Sequence, residues 1–248
     1  MLIAVAGGTG LVGRLVVEAV RADGHEVSVV ARSTGADLTT GRGLAAALDG
    51  ADAVIDVSNV TTTSRRRAVR FFESATGNLL REAAAAGVKH LVVLSIVGCD
   101  RVDLGYYFGK RRQEELVRTG PVPSTVLRAT QFHEFAAQMV DRGGPFVLAP
   151  KMRSRPIAAR EVARALVDLA VAGPVGPAPD LAGPQEQEMS EMIRRLLRTR
   201  RSRRIVVPLR LPGAVGGRLT GGGLLPTGPG PRGTETFDQW LARTEGSR

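Results

Sequence analysis

Aromatic residues make up only 4% of the 248-residue chain, with one tryptophan and two tyrosines, so a core of stacked rings is excluded. The interior has to be aliphatic. A single cysteine, Cys99, rules out an internal disulfide framework and any cysteine-based zinc site. It reads as a small buried hydrophobe in a reducing, cytoplasmic setting. No apolar run approaches the roughly 20 residues needed to cross a bilayer, and no membrane partner is expected. The opening run Met1-Leu2-Ile3-Ala4-Val5-Ala6 has no basic leader before it and no small-residue cleavage site after it, so it reads as a first strand. No histidine, cysteine or carboxylate cluster has metal-ligand spacing, which predicts no metal. His25 and His90 each precede a strand after a glycine-containing turn and are expected at the surface.

Charge of one sign is also scarce: 24 acidic residues face 34 Lys and Arg, for a net charge of +10. Two arginine clusters account for much of the excess, Arg65-Arg66-Arg67 with Arg70, and a run from Arg194 to Arg204. Neither is interleaved with aromatic rings, and neither accompanies a helix-turn-helix or finger signature, so specific nucleic-acid binding is not expected. A solvated surface, or a cationic rim for an anionic small molecule, fits better.

What is abundant is Ala, Val, Leu and Gly in alternating patterns. Strand-like runs at Leu2–Ala6, Glu26–Ala31, Ala53–Val57, Leu91–Ser95 and Ser124–Arg128 alternate with helical periodicities over Leu11–Ala22, Leu44–Leu48, Arg67–Ala86, Gly105–Gly120 and Gln131–Asp141. That alternation predicts an α/β fold, a doubly wound parallel sheet of Rossmann type. Beyond residue 150 the pattern loosens. Helices are expected over Arg160–Ala172 and Glu188–Leu197, then a Gly/Pro-rich tail from Pro208 to Gly233, with Phe237, Trp240 and Leu241 anchoring a last helical turn. The chain is expected to be one domain over 1–248, with a core of about 1–150 and a small C-terminal lobe of about 151–248 covering the substrate side of the strand ends.

The strongest local signal is Gly7-Gly8-Thr9-Gly10-Leu11-Val12-Gly13, placed after the first strand and at the mouth of the first helix. A tight turn needs Gly7, close approach of backbone to a pyrophosphate needs Gly10, and close packing of helix on sheet needs Gly13. The helix N-terminus then offers unpaired N–H groups to the anion. Where an NAD site usually presents a carboxylate, after the second strand, this chain has Arg32-Ser33, and a guanidinium there suits a 2′-phosphate and NADP(H). Asp37 and Leu38 at the next turn are candidates to border the adenine. Ser58 and Asn59, ending the third strand, are candidates to pass near the inner ribose.

These glycines, the Asp37-Leu38-Thr39 turn, Leu94-Ser95-Ile96-Val97-Gly98, Tyr106-Tyr107-Phe108-Gly109-Lys110, Leu127 through Phe135 and the closing Gly233-Thr234-Glu235-Thr236-Phe237 together resemble the NmrA-like branch of the atypical short-chain dehydrogenase/reductases. The resemblance runs nearly end to end. It implies NADP(H) and a small-molecule substrate, and it embraces reductases as well as redox-sensing regulators without turnover. Tyr106 and Lys110 stand at i and i+4, so on a helix they share a face. A nearby ammonium stabilises a phenolate, which makes Tyr106 a candidate proton donor to a carbonyl as hydride arrives. Lys110 is also a candidate to hydrogen-bond the nicotinamide ribose, and Ser95 to orient the carbonyl oxygen. Tyr107 competes with Tyr106 for the donor role. Gln131, Phe132 and His133 follow the fifth strand and are expected along the substrate pocket. The preferred function is NADPH-dependent reduction of a carbonyl, quinone or related conjugated molecule by a monomer or homodimer. The alternatives are an NADP(H) sensor and a sugar-nucleotide epimerase or dehydratase.

Overall fold

The structure, a computed structural model, describes residues 1–246. Strand β1 (Leu2–Ala6) runs into helix α1 (Leu11–Ala22), which returns the chain to β2 (Glu26–Val30). After one 3-10 turn at Arg32–Thr34 come α2 (Leu44–Leu48) and β3 (Ala53–Asp56). The long α3 (Arg65–Ala85) leads to β4 (His90–Ile96), and α4 (Gly105–Thr119) to β5 (Ser124–Ala129). There follow α5 (Glu134–Asp141), β6 (Phe146–Pro150), β7 (Arg153–Ser154), α6 (Ala159–Ala172) and β8 (Gly176–Pro177). The chain ends in β9 (Gln187–Glu188), α7 (Met189–Thr199), β10 (Ile205–Leu209), α8 (Gly213–Thr220) and α9 (Phe237–Glu245).

The main sheet has the order β2-β1-β3-β4-β5-β8 and every pair in it is parallel. Its strands are apolar on both faces because both are covered. Ile3, Val5, Ile55, Val92 and Leu94 point toward α1 and α6, while Ala4, Ala6, Val54, Leu91 and Val93 point toward α2, α3 and α4. This is the doubly wound α/β arrangement that the alternation predicts. The strand order reverses between β1 and β3, and there the two diverging connections leave a crevice at the carboxyl ends.

Residues past 150 serve both parts of the molecule. Helix α6 lies against α1 with Val162, Leu166 and Val167 in the first core, and β8 extends the main sheet. A second core gathers α5, α7, α9 and one face of the parallel β6–β10 pair around Met189, Met192, Ile193, Phe237 and Trp240. Helix α9 begins with a reciprocal cap between Thr236 and Gln239, and Trp240 Nε1 donates to Glu134 Oε1 at 3.1 Å. The expected anchoring by Phe237, Trp240 and Leu241 is therefore a full helix.

Cys99 is buried, as its chemistry suggests. His90 corrects the expectation of a surface position: it is buried, with Nε2 2.8 Å from Thr125 Oγ1 and Nδ1 3.4 Å from the Ala170 carbonyl. Helix α6 covers that sheet face, and burial holds the imidazole below its ordinary pKa, hence neutral. His25 is half-buried rather than fully at the surface.

Candidate functional site

The glycine loop closes on its own backbone. Gly7 has φ +79°, and a Cβ on it would meet Ser58 Cα at 2.8 Å, while a Cβ on Gly13 would meet the Gly7 carbonyl oxygen at 2.1 Å. Neither position has room for a side chain. Gly10 opens α1 without a side-chain cap, and a Cβ there would find only the Gly7 carbonyl oxygen, at 3.3 Å. Thr9 and Gly10 are exposed, Leu11 is half-buried, and Val12 packs into the first core. The first turn of α1 thus faces outward with its N–H groups free of side-chain partners, the arrangement that receives a phosphate.

Arg32 and Ser33 lie exposed in the 3-10 turn after β2, and the Arg32 charge acts on Asp37 in the following turn. Asp37 is committed locally: its Oδ1 accepts from Thr39 N at 2.8 Å and Thr39 Oγ1 at 2.7 Å, and these bonds hold its carboxyl below the usual range. The Leu38 carbonyl accepts from Asn78 Nδ2 at 2.9 Å, which ties this turn to α3.

Ser58 and Asn59 are neighbours with different partners. The Ser58 backbone packs against Gly7, and Ser58 N donates to Asp56 Oδ1 at 2.8 Å. Its hydroxyl lies beside that carboxylate without a well-formed hydrogen bond. Asn59 Oδ1 accepts from the Tyr106 hydroxyl at 2.6 Å and from Val60 N at 2.7 Å. Two consecutive residues therefore join the glycine loop to the phenol.

Lys110 is sealed beneath this surface. Its Nζ donates to the Leu94 carbonyl and to Gln113 Oε1, both at 2.9 Å, and stands 4.5 Å from the centre of the Phe72 ring. Gln113 Nε2 donates in turn to Asp56 Oδ2 at 2.8 Å. Burial drives the Asp56 carboxyl above its usual range and pulls the Lys110 ammonium down to about 8, each opposed by the other's charge.

Tyr106 and Lys110 do share a helix face, and Phe72 touches both, with its ring 5.9 Å edge-on from the Tyr106 ring. They make no hydrogen bond to each other. Burial raises the Tyr106 phenol well above its ordinary pKa, and Tyr107, Asp56 and Cys99 push the same way. This differs from the expectation that Lys110 lowers it, because burial of the phenol is the largest influence and the ammonium bonds Leu94 and Gln113 rather than the phenol. The phenol is neutral across the physiological range and holds its proton.

Ser95 is buried at the end of β4 with Oγ 3.9 Å from Cys99 Sγ, backed by Glu114, whose carboxylate takes two bonds from Arg128 at 2.9 and 2.6 Å. It makes no bond to Tyr106. Burial pushes the Cys99 thiol up to about 11, so it stays protonated and inert. Tyr107 points into the second core, where its hydroxyl accepts from Gln131 Nε2 at 3.4 Å. Phe132 packs on the first core. His133 is buried with Nε2 3.0 Å from the Glu235 carbonyl and its ring against Phe237 and Trp240, so its contacts hold the C-terminal segment. Asp56, Gln113 and Asn78 went unremarked in the sequence. A carboxylate closing the apolar strand Ala53–Asp56, and an amide three residues beyond Lys110, were the available signals.

An open surface hollow of about 500 Å³ along α3, lined by Arg65, Arg66, Val69, Arg70 and Glu73, contains none of these groups. Residues 34–172 match the profile of the family described as NAD(P)H-binding. The chain belongs to that NAD(P)H-binding family. A curated relative of this NAD(P)H-binding protein, a (4-alkanoyl-5-oxo-2,5-dihydrofuran-3-yl)methyl phosphate reductase of Streptomyces griseus, is 35% identical over 146 residues. That match takes in 53% of the chain and 48% of the relative, so the chain spans about half of the relative's length. Among solved structures, a short-chain dehydrogenase/reductase superfamily protein of Agrobacterium tumefaciens with bound NAD aligns with a TM-score of 0.69 at 19% identity, over 100% of this chain and 97% of that one. An NADPH-dependent quinone oxidoreductase of Escherichia coli gives 0.67 at 18% identity, over 97% and 98%. A UDP-N-acetylglucosamine 4-epimerase of Bacillus cereus gives 0.70 at 17%, over 98% and 97%. The NAD(P)H-binding protein shares its fold with all three.

Replacing Gln113 by Leu leaves a buried ammonium and a buried carboxyl each short of one partner. Gln113→Leu is expected to cost about 1–3 kcal/mol of stability. Urea denaturation with an unchanged midpoint would contradict the bridge.

Proposed function

We propose that the chain is an NADP(H)-dependent oxidoreductase reducing a carbonyl, quinone or related conjugated small molecule, with the Tyr106 hydroxyl as proton donor. One observation carries the reading: Ser58 packs on the glycine loop while Asn59 receives the phenol's hydrogen bond, so the glycine loop and the Tyr106 hydroxyl lie close together at the carboxyl ends of the strands.

The residues present fit a dinucleotide. The uncapped first turn of α1 and the side-chain-free Gly7 and Gly13 would hold the pyrophosphate, and Ser58 would border the inner ribose. Arg32, exposed after β2, would take the 2′-phosphate. When bound, the reduced nicotinamide supplies a hydride. Tyr106 holds the proton that the substrate oxygen needs, on an Oη hydrogen-bonded to Asn59. Asn59 Oδ1 aims that O–H until a substrate oxygen replaces it. Lys110 acts through position, by fixing the turn of α4 that carries Tyr106. The curated reductase acts, by its name, on a conjugated oxo-dihydrofuran, and that supports a reduction here.

Arg32→Ala is expected to cost NADPH about 1.5–3 kcal/mol of binding while leaving NADH nearly unchanged. Calorimetric titration finding equal affinities for the two cofactors in the wild type would refute the 2′-phosphate assignment.

Tyr106→Phe removes only a hydroxyl, so NADPH affinity should hold while turnover falls by roughly 10²–10⁴-fold. The assay follows NADPH absorbance with quinones, ketones and azo dyes. A larger loss in Tyr107→Phe would move the donor role to Tyr107, and tight NADPH binding with no turnover of any acceptor would refute the enzyme reading.

A further inference from the structure

Strands β6 and β10 pair in register, with Phe146 opposite Ile205, Leu148 opposite Val207 and Pro150 opposite Leu209. Alternate residues of a strand share a face, so these side chains form one apolar strip. Phe146, Leu148 and Ile205 are 56%, 59% and 58% exposed, and Val207 and Leu209 also face solvent. The intervening Val147 and Ala149 point the other way, into the second core. A sheet covered on one face ordinarily turns polar residues to water on the other. Here the outer face is apolar and stands exposed among the described residues.

Cations outnumber carboxylates along the rim of the strip. Segment 142–153 carries three cations and segment 200–210 carries five, and neither contains a carboxylate. Carboxylates from elsewhere pair with Arg153 and Arg200, and Arg204 donates to the Val140 and Gly143 carbonyls. Among the described residues, Arg142, Lys151, Arg201, Arg203 and Arg210 are exposed with no ion pair.

We propose that this strip and its rim are a docking face for the surface of an anionic lipid bilayer. A second copy of the chain fits poorly, because it would bring the same unpaired cations face to face. Five side chains, each about half exposed, also present less accessible surface than the roughly 800 Å² per partner of a standard protein interface. A nucleic acid supplies negative charge but no apolar surface. The bilayer interface supplies both, since apolar side chains enter the boundary between headgroups and acyl chains while cations meet the anionic headgroups. No helix among the described residues is long and apolar enough to cross a membrane, and docking at the surface needs none.

The test is cosedimentation of the full chain with phosphatidylcholine vesicles and with mixed phosphatidylcholine/phosphatidylglycerol vesicles. Binding is expected to the mixed vesicles, about tenfold or more above phosphatidylcholine alone, and to weaken as salt is added. Replacing Arg203 and Arg210 together by Gln should lower partitioning about 25-fold. The pair Phe146→Ser and Leu148→Ser should lower it about tenfold or more while leaving the thermal midpoint within a few degrees, since these side chains face solvent. No binding to the mixed vesicles would overturn the proposal, as would binding that the serine pair leaves unchanged. So would a dimer in sedimentation equilibrium that the serine pair dissolves, because the strip would then belong to a second copy.

Discussion

A single ammonium buried inside the molecule organises the end of the sheet where the candidate site lies. Taking an unpaired charge out of water costs several kcal/mol, so Lys110 is tolerable only if the fold supplies acceptors and a counter-charge. They come from four elements: the Leu94 carbonyl on β4, Gln113 on α4, the Phe72 face on α3 and, through Gln113, Asp56 on β3. Satisfying one charge therefore fixes four elements relative to each other. The approach is close: a Cβ on Gly109 would meet Phe72 and Ala68 at 2.7–2.9 Å. Tyr106, one turn before Lys110, is carried to a fixed place by a group it does not bond.

The other end of the same network reaches the glycine loop. Asp56 binds the Ser58 amide, Ser58 abuts Gly7, and Asn59 takes the Tyr106 hydroxyl. Four consecutive residues, 56–59, thus connect the buried charge, the phosphate-type cradle and the phenol. The connection follows from topology: in an all-parallel sheet the loops after β1, β3 and β4 emerge at the carboxyl ends of the strands, and the order reverses between β1 and β3, where open sheets of this kind bind ligands.

The parallel sheet and the glycine loop were legible because their signals are local. Periodicity marks β1 to β5 and their helices, and Gly7, Gly10 and Gly13 stand where strand gives way to helix. The i, i+4 spacing of Tyr106 and Lys110 correctly placed both on one face, but spacing says nothing of competing acceptors, so the destination of the ammonium was not readable. Gln113 and Asp56 lie 57 residues apart and meet only through the fold. His90 looked like a turn residue, since the helix that buries it, α6, begins 69 residues later at Ala159. The loosely patterned region past residue 150 hid β10, whose partner β6 is distant in sequence and whose Pro208 disguises a strand. His133 stood beside a strand end, where ligands bind, yet it packs on Phe237 and Trp240, an outcome that depends on a tail a hundred residues away.

The proposal that the carboxyl ends of the strands join an NADP(H) cradle to a proton donor at Tyr106 is tested most directly by a crystal structure of the chain with NADP+. The account predicts the pyrophosphate on the first turn of α1, the 2′-phosphate against Arg32, and the nicotinamide ring beside the Tyr106 hydroxyl. A dinucleotide bound at the other ends of the strands, or one whose nicotinamide points away from Tyr106, would contradict it.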